Sequence, residues 1–341
     1  MKDGKDGINK IKKKENMKKI FALFILAIST VSCYDDYIKD FDFNSVYFPY
    51  QIDVRTFVVG EGMKIELGAA LGGVVENRTD RNVDFVIDNT FITPARLAAM
   101  KSAATYIKNS VPASVSVLTP LPENYYTLSN SSTIVIKSGE HSGAIILKAD
   151  SAAFLADPLT VNAAYALSLY ITRADADTIV ESKRFAVIGL KYENMLFGRY
   201  WHGGVTVEKD AAGNVVNTQT YYTTIPQPDA KTWSLTTIAP QQLAVKGYSS
   251  TASNKDELVL ALNGNNITVS SAPGSTFTFE SDAASTFNRP KLLQDRKLFL
   301  SYKYVNAAGN TCYAADTLTF RNRIRDGVNE WQDENPSHYD K

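Results

Sequence analysis

Lys297-Leu298-Phe299-Leu300-Ser301-Tyr302-Lys303-Tyr304-Val305, the turn Asn306-Ala307-Ala308-Gly309-Asn310, and then Cys312-Tyr313-Ala314-Ala315-Asp316-Thr317-Leu318-Thr319-Phe320-Arg321 read as two strands joined by a hairpin. Tyr302 and Tyr304 share one face, because strand side chains two apart point the same way. Working back towards residue 198, the same grammar repeats. Short runs rich in Val, Ile, Tyr and Thr occupy 198–208, 215–224, 232–238, 242–246, 258–262, 267–271 and 276–280. Asp210-Ala211-Ala212-Gly213-Asn214, Asn263-Gly264-Asn265 and Pro273-Gly274 punctuate them. Eight or nine sequential hairpin-linked strands predict an antiparallel meander over residues 191–332. It can close as a lipocalin-like up-and-down barrel, which leaves no exposed edge. A second β-sandwich is the alternative.

Residues 46–190 show a different rhythm. Strand candidates lie at 46–50, 56–59, 64–71, 82–87, 125–128, 132–136, 143–147, 164–172 and 184–190, punctuated by Gly, Asn, Asp and Pro. This predicts an immunoglobulin-like antiparallel β-sandwich. One helix interrupts it. Thr93 can cap, Pro94 can take the first helical position, and Leu97, Met100, Ala104 and Ile107 fall on one face. A further helical turn is expected at 151–156. The fold class is therefore all-β, in two domains with a boundary near Lys191-Tyr192-Glu193-Asn194.

The N-terminus is a targeting segment. Met17-Lys18-Lys19 opens a basic region and Ile20–Ile28 is an apolar run, followed by small residues up to Cys33. The run is too short to span a bilayer. Residues 1–32 are expected to be a signal peptide, with Met17 the natural start. Residues 33–45 form a tether and 333–341 a polar tail. Cys33 occupies the position of a lipidated cysteine, and two acyl chains give stable anchoring; the alternative is ordinary secretion with Cys33 incidental. Asp35 and Asp36, just after Cys33, resemble the surface-export signal of Bacteroidetes lipoproteins. That implies attachment to the outer membrane, facing the cell exterior.

Composition narrows function. The whole chain of 341 residues carries 36 basic and 36 acidic side chains. Loss of residues 1–32 removes eight lysines and three acids, leaving a net charge of −5. Nucleic acid, which demands a basic face, is not an expected partner. Two cysteines and three histidines provide neither a disulfide framework nor a cysteine-rich zinc site. His141 reads as a turn residue and His202 as a structural or rim residue. Asp175 and Asp177 could offer oxygens to calcium, but two acids in a loop more simply make a turn. There is no nucleophile elbow, no His-Glu-x-x-His and no acidic motif suited to glycoside hydrolysis. No cofactor and no enzymatic activity are expected.

Phe43-Asn44-Ser45-Val46-Tyr47-Phe48-Pro49-Tyr50-Gln51, Val54-Arg55-Thr56 and Gly60-Glu61 resemble the opening of a Bacteroidetes lipoprotein domain of unknown function. Leu71-Gly72-Gly73-Val74, Asn124–Leu128 and Phe154–Leu159 continue the likeness. Asp316–Asn322 and Asp326–Asp333 resemble its C-terminal companion domain. The resemblance implies a surface accessory lipoprotein of a polysaccharide uptake system, encoded beside SusC/SusD-like glycan importers. Asp150-Ser151-Ala152, Asp177-Thr178-Ile179 and Asp316-Thr317-Leu318 also resemble the Bacteroidetes O-glycosylation pattern.

Sugar rings stack their C–H faces on flat aromatic side chains, so aromatics are the natural lead. The candidate glycan-binding residues are Trp201, Tyr222, Trp233, Tyr302, Tyr304 and Trp331. A binding protein requires them exposed as a row or pocket. A structural or adhesive surface protein, binding a protein partner and no small ligand, requires them buried. A hollow barrel would instead suit a small apolar ligand.

Overall fold

The computed structural model describes residues 43–222, 231–290 and 292–332. The signal peptide, Cys33, most of the tether and the tail from 333 lie outside the described residues.

Two sheets form the first domain. One orders its strands Thr178–Ile179, Ser45–Tyr47, Lys64–Gly72, Ser142–Ala149 and Tyr126–Leu128. The other runs Ile52–Val59, Phe185–Asn194, Tyr165–Ala174, Arg81–Ile87 and Thr133–Ile136. Their inner faces meet in a core that includes Phe48, Phe57, Leu67, Phe85, Ile134, Leu147, Phe154 and Leu169. The sandwich is not purely antiparallel. Ile52–Val59 pairs in parallel with Phe185–Asn194, from Val187↔Ile52 to Asn194↔Val59. Parallel pairing joins strands through a long crossover, and here most of the domain separates the two.

The expected single helix is two. Thr93 caps Pro94–Ser102 by accepting from Arg96 N at 3.3 Å. Ala103 and Ala104 then leave helical geometry, and a second helix runs Thr105–Ser110. Leu97, Met100 and Ile107 are buried as their spacing predicts, but Ala104 is at the break. Asp150 caps the short helix Ser151–Ala156.

The second domain is a closed barrel, not a second sandwich. The order is Gly198–Lys209, Thr232–Ala239, Gln242–Lys246, Glu257–Asn263, Asn266–Ser271, the broken strand Glu280–Ser281 with Ser285–Phe287, Lys297–Val305 and Thr311–Arg325. Closure is made by the first and last of these, paired from Arg199↔Asn322 to Lys209↔Thr311. Val215–Tyr221 pairs with the outer half of Gly198–Lys209. The barrel is filled by side chains that include Leu235, Leu243, Val245, Leu258, Leu260, Phe279, Leu298, Leu300 and Leu318. Among the described residues, buried side chains thus occupy the interior where an apolar ligand would sit.

The domains are clamped by one acid and two arginines. Glu61 sits on a turn between two left-handed glycines, Gly60 and Gly62 (φ 90° and 83°). Its Oε1 accepts from Arg296 Nη2 at 2.8 Å and from Arg323 Nη1 at 2.9 Å, while Oε2 accepts from Arg323 Nη2 at 2.9 Å. Both guanidiniums are buried. Arg296 also donates to Met195 O, and Arg323 Nε to Glu330. Burial pushes the Glu61 carboxyl up, but Arg323 and then Arg296 outweigh it and hold it below the ordinary 4.5.

A hairpin not expected from the strand pattern completes the junction. Thr311–Arg325 turns at Asp326-Gly327 into Val328–Glu330. Both turn residues have positive φ (52° and 82°), the requirement of the two-residue turn that Asp-Gly favours. Asp326 Oδ2 accepts from Thr56 N at 3.3 Å, on the outer edge of Ile52–Val59. Asp53 Oδ1 accepts from Val54 N at 2.9 Å on that strand. Carboxylates thus occupy edge N–H groups that would otherwise invite another strand.

Glu61→Gln is expected to destabilise the protein by about 3–5 kcal/mol, because two buried guanidiniums lose the carboxylate they share and Glu330 remains only for Arg323. A carboxyl held low contributes stability that is present above its unfolded value and lost as pH falls through the folded one. The stability gap between wild type and variant, measured by denaturant titration, should therefore be full at neutral pH and shrink below about pH 4.5.

Candidate functional site

Three of the six candidate aromatics are inside the barrel. Trp233, Tyr302 and Tyr304 are buried and offer no face to a surface ligand. The alternation of Lys297–Val305 aims both tyrosines inward. Trp201 and Tyr222 are half-buried. Trp201 lies beneath the Arg321 guanidinium at 4.8 Å, a cation–π contact on the barrel wall. Trp331 is 57% exposed, and no ring contact joins it to the other five among the described residues. The exposed aromatic row is therefore not formed.

What the buried aromatics build is a polar cluster around Asp316. Its Oδ1 accepts from Tyr221 OH, and its Oδ2 from Tyr302 OH at 2.7 Å. Burial, and then the Asp316 charge, raise both phenols, so they keep their protons and donate. Tyr302 OH in turn accepts from Ser249 N at 2.6 Å. That bond holds Ser249 at a φ of 48°, a left-handed conformation that costs a non-glycine residue energy. His202 Nε2 is 3.2 Å from Asp316 Oδ1, close enough for an ion pair but off hydrogen-bond alignment. The imidazole stacks on Trp233 with centroids 3.8 Å apart. Gly204 makes room for this cluster: a Cβ there would come within 2.4 Å of Asp316 Oδ1. Every member is sealed from solvent, so the cluster reads as the specification of the barrel interior. His202 is structural, and Asp316 is a core residue despite its place in Asp316-Thr317-Leu318.

The loop acids also resolve. Asp175 Oδ2 accepts from Asn82 N and Nδ2, both at 3.0 Å, while its Oδ1 takes Arg173 at 2.8 Å. Asp177 Oδ2 accepts from Asn44 N and Nδ2 at 2.8 and 2.6 Å. These carboxylates fasten turns. His141 is exposed on a hairpin, with Nε2 3.2 Å from Val74 O.

Two open cavities lie where the domains meet, one on each side of the Asp326-Gly327 turn. The first, about 780 Å³, is lined by charged groups, among them Arg55, Lys64, Glu66, Arg325 and Glu330. Several are already paired, Arg325 and Arg323 with Glu330 and Arg55 with Asp53. Glu330 and Gln332 both line this cavity, and Trp331 lies between them in sequence. The second, about 740 Å³, is lined by hydroxyl and amide groups, among them Thr105, Asn109, Ser110, Asn162 and Thr236, together with apolar side chains such as Phe197 and Ile324. Asp326 and Thr56 border both. Reading the sequence by its aromatics misses this junction. The overlooked signal was Asp326-Gly327, a hairpin turn that brings the chain back against the first domain.

Residues 41–178 match a family model for an N-terminal domain. The match lies within the sandwich and ends before Phe185–Asn194. No curated protein matches the chain. A crystal structure of unknown function from Bacteroides ovatus is similar with a TM-score of 0.60 at 18% identity, over 86% of this chain and 99% of that one. Such a likeness shows the shared fold alone. A second structure of unknown function from the same organism aligns with a TM-score of 0.43 at 14% identity, over 85% of this chain and 100% of that one.

Asp316→Ala is expected to cost about 3–5 kcal/mol of stability, since two buried phenols lose their acceptor. Asp175→Ala, removing a carboxylate at the surface, should cost far less. Parallel thermal melts would test the contrast; equal costs would refute the reading of Asp316 as a core residue.

Proposed function

We propose that this chain is a non-catalytic, lipid-anchored surface protein that binds glycan at the domain junction, as an accessory to polysaccharide uptake. One observation carries the reading. The barrel interior is filled by buried side chains, whereas the junction holds open cavities of about 780 and 740 Å³ whose walls mix polar and apolar groups. A concave site with a few convergent polar groups suits a hydroxyl-rich ligand. The clamp of Glu61, Arg296 and Arg323 keeps both walls fixed, so little ordering cost attaches to binding. In this reading Cys33 carries the lipid, the protein faces outward from the outer membrane, and a SusC/SusD-like importer receives the captured polymer.

Two of the acids at the junction are unavailable as a hydrolytic pair. Glu61 and Glu330 are committed to arginines. A glycosidase needs a protonated acid opposite a free carboxylate.

A structural or adhesive role draws on a different observation. Val215–Tyr221 carries no charged residue, and Val215 and Val216 are exposed. Such a strand suits a protein partner better than a sugar.

The mature chain is expected to be retarded by at least one polysaccharide in affinity electrophoresis, and to leave that polymer's size unchanged after prolonged incubation. Free migration across a broad panel would sink the glycan reading. Polymer shortening would make the protein an enzyme.

A further inference from the structure

The two cavities differ in one respect that bears on the ligand. In the cavity beside Arg325, the guanidiniums already hold carboxylate partners. In the cavity beside Tyr106, the side chains of Thr105, Asn109, Asn162 and Thr236 make no hydrogen bond among the described residues. They come from three separate segments and converge on one space. Of the ionisable groups there, Lys191 Nζ lies 2.6 Å from Glu193 Oε1, and Asp326 accepts from Thr56 N.

We infer that the Tyr106-side cavity, not the opposite one, holds the ligand, and that the ligand is an uncharged oligosaccharide segment contacted by Asn109 and Asn162. The inference rests on the glycan-binding reading above. An asparagine amide both donates and accepts, which matches neighbouring sugar hydroxyls, and the threonine hydroxyls do the same. No free cation lines this wall to hold a uronate or sulfate, groups that call for charge-assisted bonds. Its donors are also pre-placed. Ala163 N donates to Ser110 O at 2.9 Å, which ties the Asn109 and Asn162 segments together. Ser110 Oγ donates to Tyr106 O at 2.8 Å, and Tyr106 OH to Asp53 Oδ1 at 2.8 Å. The Tyr106 ring is covered by Gly327, where an added Cβ would come within 3.0 Å of its carbons. Recognition here therefore runs through hydrogen bonds rather than ring stacking.

The test uses the mature chain in gels containing a neutral glucan, a neutral mannan, a neutral xylan or polygalacturonate. Asn109→Ala with Asn162→Ala is compared with Lys64→Ala plus Glu66→Ala in the opposite cavity. Asn109, Lys64 and Glu66 are exposed and Asn162 is half-buried, and melting curves confirm that each variant folds. The expected result is retardation by a neutral polymer, weakened at least about tenfold in the asparagine pair and unchanged in the Lys64/Glu66 pair. A tenfold loss corresponds to about 1.4 kcal/mol, in the range of two net hydrogen bonds. Loss in the Lys64/Glu66 pair with the asparagine pair intact would overturn the assignment while leaving the glycan reading standing. Retardation by polygalacturonate alone would overturn the uncharged ligand. Free migration in every gel would remove the glycan reading itself.

Discussion

A single carboxylate, Glu61, holds two buried guanidiniums from the barrel. Arg296 and Arg323 could not be buried alone, since an unpaired ion in a low-dielectric interior costs several kcal/mol. The bidentate fork of Arg323 on Glu61 also sets an orientation, because a planar guanidinium meets a carboxylate along two parallel bonds. The turn at 60–62 and the strand at 311–325 are thereby brought into register, although about 260 residues of sequence lie between them. Everything at the junction follows from that. The Asp326-Gly327 turn reaches the edge of Ile52–Val59, and the two cavities open on either side of it.

The barrel shows a second use of buried charge. Asp316 organises Tyr221, Tyr302, Ser249 and His202 around one carboxylate. A filled barrel of aliphatic side chains can slip in register, because apolar contacts are not directional. The bonds of Asp316 to Tyr221 and Tyr302 fix strands drawn from residues 215–221, 297–305 and 311–325 against each other, with His202 of 198–209 packed beside them. The aromatic richness of this half thus serves its architecture, and the surface chemistry moves to the junction.

Much of the local architecture was legible from residue patterns. The helix at Pro94, its Thr93 cap and the buried Leu97 and Met100 follow from spacing and capping chemistry. That Tyr302 and Tyr304 share one face follows from strand alternation, and the choice of turns from Gly and Asn. Less legible was the direction of burial. A strand's two faces alternate, but which face is inside depends on strands far away in sequence. Trp233 and Trp331 look alike as sequence, yet one stacks on His202 in the core and the other is exposed. The break after Ser102 was also hidden, since Ala103 and Ala104 are good helix formers and only tertiary packing turns the chain there.

The sequence by itself therefore determined an all-β chain in two parts, with its turns, caps and strand alternation, because these depend on neighbours within a few residues. Tertiary structure alone decided that the second part closes as a barrel, that its aromatics point inward, and that an acid at position 61 meets arginines at 296 and 323. Those outcomes are set by contacts between residues hundreds of positions apart, where burial and charge pairing act and local propensity carries no information.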